Sequence, residues 1–227
     1  MAIKPILFNT EMVQAILDGR KTCTRRVVKT RRKDACGFYV TKRPDGLFTG
    51  IYEYDEDERM FENQLIPPYK PGDILYIRET WTRFECWNCE GDEEGNCAKD
   101  PHISVLEKQC GCYLYRATCE IGGDARWHSS IHMPKEAARI WLKVTNVRVE
   151  RLQDITEDGA EAEGAIDNRG FIHSPENEYD RIYTAREHFI EIWDRTIKKS
   201  DLDIYDWDAN PWVWVIEFER CEKPKEV

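Results

Sequence analysis

Long apolar runs are missing from this 227-residue chain. None approaches the ~18–20 residues of a membrane span, and the N-terminus has no signal-peptide core. A protein that crosses or sits in a membrane is therefore not expected, and the expected compartment is the cytoplasm. A Gly-rich phosphate loop in a strand–turn–helix setting is also missing, so no nucleotide cofactor is expected. Positive charge is in deficit: the formal net charge is −10, which argues against indiscriminate binding to nucleic-acid backbone. The nine cysteines are an odd number and do not suit a closed disulfide framework. What a core needs is present. Hydrophobic residues make up 41%, with eight tryptophans and ten tyrosines, which argues for a folded chain of one well-cored domain.

The net charge is an average over unlike segments. Residues 20–33 hold Arg20, Lys21, Arg25, Arg26, Lys29, Arg31, Arg32 and Lys33, while residues 55–58 and 90–94 carry acid. A basic face on an acidic protein is compatible with gripping a short or single-stranded segment. Within the basic run, Gly19-Arg20-Lys21-Thr22-Cys23-Thr24-Arg25-Arg26 follows what reads as a helix with Thr10 as N-cap and Gly19 just past its end. Lys21 and Thr24 then project from the turn or strand beyond. An amine near a hydroxyl can serve as base and nucleophile, and an amine near two arginines can hold phosphate. An exposed, solvated basic turn is the plainer alternative.

The cysteines cluster. Cys86 and Cys89 form a C-x-x-C, Cys97 follows, and Cys110 and Cys112 close a Gly-, Asp-, Glu- and Asn-rich insert over residues 84–112. That segment has nothing from which to build a core. Thiolates on tight turns can surround a tetrahedral zinc, and the metal then supplies the missing folding energy. Five cysteines compete for four places, with Cys97 and Cys112 the open choices; a disulfide or unliganded thiols are the alternatives. The ligands would all be sulfur, which points to structural zinc. Cys23, Cys36, Cys119 and Cys221 are scattered and read as ordinary thiols.

Elsewhere, strands dominate. Pro5–Phe8, Ile74–Ile77 after a Pro71-Gly72 turn, Tyr113–Ala117, Ile140–Val149 and Trp212–Phe218 all read as strands, the last one central. Between Val144 and Val147 the alternation slips by one residue, which suggests a bulge. Ile182, Ala185, Phe189, Ile192 and Trp193 lie at helical spacing, and Thr156 opens a short helix through about Glu163 that ends at Gly164. A small closed barrel with flanking helices, in one domain spanning 1–227, is the expected α+β architecture.

The Gly19–Arg26 segment resembles the ASCH family, relatives of the PUA RNA-binding domains, whose signature is G-x-K-x-x-E-x-R. Gly19, Lys21 and Arg26 match, and Thr24 stands where the pattern has glutamate. A small bacterial member that hydrolyses N4-acetylcytidine also has threonine there. The resemblance continues in Lys70-Pro-Gly-Asp-Ile-Leu-Tyr-Ile-Arg-Glu-Thr-Trp81, His132-Met-Pro-Lys-Glu-Ala-Ala-Arg-Ile140, Val147-Arg-Val-Glu-Arg-Leu-Gln-Asp-Ile-Thr156 and Asn210-Pro-Trp-Val-Trp-Val-Ile-Glu-Phe218. Together these look like the longer phage- and prophage-associated ASCH proteins, in a bacterial or phage-infected host cell. The resemblance implies a PUA-like barrel and aligns the amidohydrolase's catalytic glutamate with Glu163, with Glu157 and Glu161 as acidic neighbours. It implies a catalytic trio of Lys21, Thr24 and Glu163. Arg25, Arg26, Arg78, Trp81 and His132 are the expected substrate or nucleic-acid contacts. Trp81 could stack a base or fill a core, and His132 could bond a substrate carbonyl or stabilise a turn.

Three functions follow from this reading. The first is an amidohydrolase that removes an N-acyl group from a modified nucleoside such as N4-acetylcytidine. The second is a non-catalytic protein recognising a base in single-stranded RNA with the same cleft. The third is a zinc-supported phage adaptor that binds a host protein of unknown identity.

Overall fold

A computed structural model describes residues 1–46, 48–85, 96–97, 100–104, 111–119, 126–169 and 183–224. In chain order these form β1 (Ile3–Leu7), α1 (Thr10–Leu17), β2 (Cys23–Val27), β3 (Gly37–Lys42), β4 (Phe48–Tyr54), β5 (Met60–Gln64) and β6 (Ile74–Arg78). There follow β7 (Trp81–Glu85), β8 (Asn96–Cys97), β9 (Asp100–Ser104), β10 (Gly111–Tyr115) and β11 (Trp141–Arg151). The chain closes with α2 (Glu157–Ala162), α3 (Ala185–Thr196), α4 (Leu202–Tyr205) and β12 (Trp212–Cys221). The class is α+β, mostly sheet with few helices. Among the described residues no helix is long and apolar enough to cross a membrane. The chain divides into two compact units, Met1–Ala2 with Ala15–Ile74 and Leu142–Cys221, and Ile3–Gln14 with Leu75–Trp141 and Glu222–Val227.

In the first unit β12 lies between β11 and β2, as its apolar alternation predicts. It runs antiparallel to β2, with Ile216 opposite Thr24, Val215 opposite Arg25 and Glu217 opposite Cys23. Alternating side chains therefore give two faces. Cys23, Val213 and Val215 face a buried cluster with Leu152, Ile155, Ala160, Ala185, Phe189 and Trp193. α3 contributes Ala185, Phe189 and Trp193 from one helical stripe. Its start is fixed by a capping box in which Thr184 Oγ1 accepts from Glu187 N and Glu187 Oε2 accepts from Thr184 N. Burying Phe189 alone contributes ~2–3 kcal/mol. β11 runs unbroken as a strand, and its buried positions pass from Leu142 and Val144 to Val149, the change of phase read from the sequence.

The three-stranded sheet β3–β4–β5 was not anticipated from the sequence. Phe38 lies opposite Glu53 and Val40 opposite Ile51, so these four share a face on which Ile51 and Glu53 are buried. Glu53 accepts from the backbone N–H groups of Arg31 (2.6 Å) and Arg32 (3.2 Å), which anchors the end of the basic run. On the other face, Tyr39 and Tyr54 stack at 4.7 Å. The Tyr54 ring lies over Gly37, where any Cβ would meet it within 2.7 Å. Alternation across Asp45-Gly46 was the available signal for this hairpin.

In the second unit β1 pairs with β6, β7 with β10 and β8 with β9. Leu75, Ile77, Met133 and Ala137 are almost fully enclosed, and Tyr76 packs on Trp141 at 5.9 Å. Buried Glu79 is held by both arms of Arg139, each at 2.9 Å. α1 begins at Thr10 with the Asn9 side chain accepting from Met12 N at 2.8 Å. Asn9, one residue earlier than expected, is thus the cap.

The turn after α2 is tight. Gly164 has φ +92°, and an added Cβ would lie 2.8 Å from Ala15 Cβ. Gly164→Ala is expected to lose about 1–3 kcal/mol, read as a lower urea midpoint with unchanged slope.

Candidate active site

Two turns aim the reactive groups inward. After α1, Gly19 takes φ +77°, and the N–H groups of Arg20 and Lys21 both bond to Ala15 O, at 2.9 and 3.0 Å. The chain is thereby folded back, and Lys21 turns from solvent into the unit. Thr156 caps α2 by accepting from Gly159 N at 3.0 Å. Glu163 closes that helix, with its N–H bonded to Gly159 O and Ala160 O. Thr22 N donates to Ala162 O at 2.8 Å, tying the start of β2 to the end of α2. The missing side chain of Gly164 lets Lys21 Cβ come within 3.3 Å of where a Cβ would be.

The result is a buried contact between charged groups. Lys21 Nζ donates to Glu163 Oε2 at 2.6 Å and to Glu163 O at 2.8 Å. Arg25 Nη1 reaches Glu163 Oε1 at 3.3 Å. Arg25 Nε and Nη2 both donate to Glu150 Oε1, at 2.9 and 2.6 Å. Glu150 Oε2 in turn meets Arg148 Nε at 3.3 Å, and Arg148 Nη1 bonds to Glu217 Oε1. Side-chain exposure rises along this chain from 0% at Lys21, 5% at Glu163 and 2% at Arg25 to 16% at Glu150 and about 40% at Arg148 and Glu217. A buried charge is tolerated only when paired and hydrogen-bonded, and here cations and anions alternate.

The surroundings shift the proton affinities. Burial lowers the affinity of Lys21, and the Glu163 carboxylate opposes that shift. For Arg25 burial acts in the same direction, but Glu163 and Glu150 outweigh it, and the guanidinium is held more firmly charged. Burial lowers Arg26, with Glu163 again opposing. Burial, reinforced by the negative charge of Glu163, pushes the Cys23 thiol up to about 12.

The expected site residues separate into groups. Lys21, Arg25 and Glu163 are joined directly. Thr24 is 1% exposed, and the pleat puts it on the face of β2 shared with Ile216, away from Cys23 and Arg25. Arg26 shares that face, is half-buried, and donates to Arg25 O at 3.3 Å. Arg25 has its guanidinium taken up by two carboxylates, so it sits behind the site rather than on a ligand-facing surface. Glu157 accepts from Arg186 N at 3.0 Å, and Glu161 is exposed.

Arg78, Trp81 and His132 belong to the second unit. Arg78 donates to Ile131 O at 3.2 Å. Trp81 stacks on His128 at 5.1 Å and on Tyr113 at 5.7 Å. His132 is exposed at the end of a short 3-10 turn. Of the expected zinc ligands, Cys86, Cys89 and Cys110 lie outside the described residues. Cys97 and Cys112 are placed by their backbones alone, on β8 and β10. Among the described residues no three His, Cys, Asp or Glu side chains converge as a metal site.

Glu150, Arg148 and Glu217 were missed from the sequence. The available signal was charge interspersed in otherwise apolar strands, in Val147-Arg-Val-Glu150 and Val215-Ile-Glu217. Set against models of protein families, characterised proteins and solved structures, the chain matches none. The chemistry of the site is therefore read from its own geometry.

The Cys23 shift has a testable sign. Its thiol ionises near 9 when unfolded and near 12 when folded, so its contribution to stability is whole below pH 9 and is lost as pH rises toward 12. At pH 8 iodoacetamide should label exposed Cys36 and leave Cys23 unmodified until the protein is denatured, as peptide mass spectrometry would report.

Proposed function

We propose that this protein is an amidohydrolase of the ASCH type, built on a PUA-like barrel, that removes the N-acyl group of a modified nucleoside such as N4-acetylcytidine. The observation that carries the reading is the enclosed 2.6 Å contact between Lys21 Nζ and Glu163 Oε2, on the segment that also bears Thr24. A buried ammonium and carboxylate can exchange one proton to become a neutral amine and a neutral acid, because desolvation penalises both charges together. The neutral Lys21 amine then accepts the Thr24 hydroxyl proton through a water, and Thr24 Oγ attacks the acyl carbonyl. Glu163 delivers its proton to the leaving N4 amine. Water next hydrolyses the acyl-threonine, releasing the carboxylic acid and restoring the hydroxyl. Arg26, on the Thr24 face of β2, supplies positive charge for the oxyanion.

Recognition of an RNA base without turnover is the second reading. It is favoured by the same short contact: an ammonium locked to a carboxylate is a fixed donor rather than a base. Acetate release from N4-acetylcytidine separates the two. Turnover is expected in the wild type, with at least ~100-fold loss in Lys21→Ala, Thr24→Ala and Glu163→Gln variants that keep the wild-type circular dichroism spectrum. Absence of turnover, together with saturable RNA binding that weakens steeply with salt, would replace hydrolysis by recognition.

The Cys-rich insert is proposed to hold one structural zinc through four of Cys86, Cys89, Cys97, Cys110 and Cys112. Elemental analysis should find about one zinc per chain, and Cys86→Ser combined with Cys89→Ser should abolish it. A protein without zinc in which those thiols are freely titratable would remove the assignment.

A further inference from the structure

The proposed reaction uses Lys21, Thr24 and Glu163 and leaves the charged residues behind them without a part. We infer that Glu150, acting through Arg25, is a positioning residue that divides the two oxygens of Glu163 between Arg25 and Lys21. The inference rests on the reading of the Lys21–Glu163 pair as the site.

Arg25 is enclosed, with a side-chain exposure of 2%. Its fork is split: Nε and Nη2 converge on one oxygen of Glu150, which leaves only Nη1 to reach Glu163 Oε1 at 3.3 Å, with longer contacts to Gly159 O and Cys23 Sγ. A guanidinium facing a single carboxylate prefers to take both oxygens side by side. Glu150 prevents that by engaging two of the donors. Glu163 Oε2 is thereby left to Lys21, where it accepts at 2.6 Å. Glu150 is held in turn, since its Oε2 meets Arg148, Arg148 bonds to Glu217, and Glu217 Oε2 accepts from Asn146 Nδ2 at 3.2 Å. This is a cross-strand ladder over β11, β12 and β2 that runs from half-exposed surface to a closed site.

Charge counting gives the direction of the effect. Lys21, Arg25, Glu150 and Glu163 sum to zero, and Lys21 also feels Cys23, a neutral thiol, and Arg26, a cation. Removing the Glu150 charge leaves an uncompensated cation beside Lys21 and frees Arg25 to draw Glu163 away. Both changes disfavour the ammonium. Removing the Arg25 charge does the opposite, and removing both restores the balance. An ion pair that merely held β2 to β11 would change stability without this pattern of signs.

The test is the titration of Lys21 in protein carrying [ε-13C]lysine, between pH 5 and 11, with the resonance assigned by its loss in Lys21→Arg. Glu150→Gln should lower the midpoint by about one unit or more, Arg25→Met should raise it, and the double variant should return to within roughly half a unit of wild type. An unchanged midpoint in folded Glu150→Gln, shifts of the same sign in both single variants, or a Lys21 that stays charged throughout in every variant would overturn the inference. Should Glu150→Gln not fold, Arg25→Met alone decides, by a rise or by none. If the protein turns over N4-acetylcytidine, the acidic limb of its kcat/KM profile should move with the Lys21 midpoint. A wild type without turnover would remove the hydrolase reading and leave the titration to judge the positioning role.

Discussion

Lys21, Arg25, Glu150 and Glu163 occupy one enclosed region between β2, β11 and α2, and no one of them could stay there charged without the others. The effective penalty for desolvating a single ion is several kcal/mol, comparable to a large part of a domain's net stability. The local features of the first unit follow from that constraint. The left-handed turn at Gly19 brings Lys21 inward, the turn at Gly164 brings α2 close enough for Glu163 to meet it, and the register of β2 against β12 puts Arg25 on the same side. A loosened turn would separate buried charges from the partners that offset their desolvation.

What permits so many buried charges is the apolar layer around them. Phe189, Trp193, Val213, Val215, Leu152 and Ile155 pack against the same face of the sheet, and the Arg25 guanidinium lies 5.8 Å from the Phe189 ring centroid. The second unit obeys the same rule on a smaller scale, with buried Glu79 clasped by Arg139 and Arg139 lying 4.0 Å over the Tyr115 ring. Surface pairs such as Arg32–Asp34 and Arg59–Asp57 are of another kind. Exposed to water and salt, such pairs are screened and organise nothing.

For function, the informative contrast lies along β2. Odd-numbered positions of the strand feed the buried charge ladder, whereas Thr24 and Arg26 look to the opposite side. A proton-holding pair and a buried hydroxyl at neighbouring points of one short segment suit chemistry in which base, acid and nucleophile act in turn. They also suit a fixed pattern of donors for a base. Both readings draw on the same electrostatics and differ in whether the Lys21 proton moves.

Local physical rules made much of this fold legible in the chain itself. Thr156 as a cap, Gly164 as a helix end, the Pro71-Gly72 turn, the alternation of Trp212–Phe218 and the helical stripe through Phe189 and Trp193 each depend on neighbours within a few residues. The segment holding Lys21 and Thr24 stood out for the same reason, and Glu163 was reached through resemblance. Partnership was not legible. Lys21 meets Glu163 across 142 positions and Arg25 meets Glu150 across 125, and charge alternates along β11 without announcing which way it faces. Arg25 therefore read as a substrate or nucleic-acid contact until the sheet register turned it inward. Caps and turns are decided by the backbone on either side of them. The pairing of buried charges is decided by which strands lie together, and only the tertiary structure brings those strands side by side.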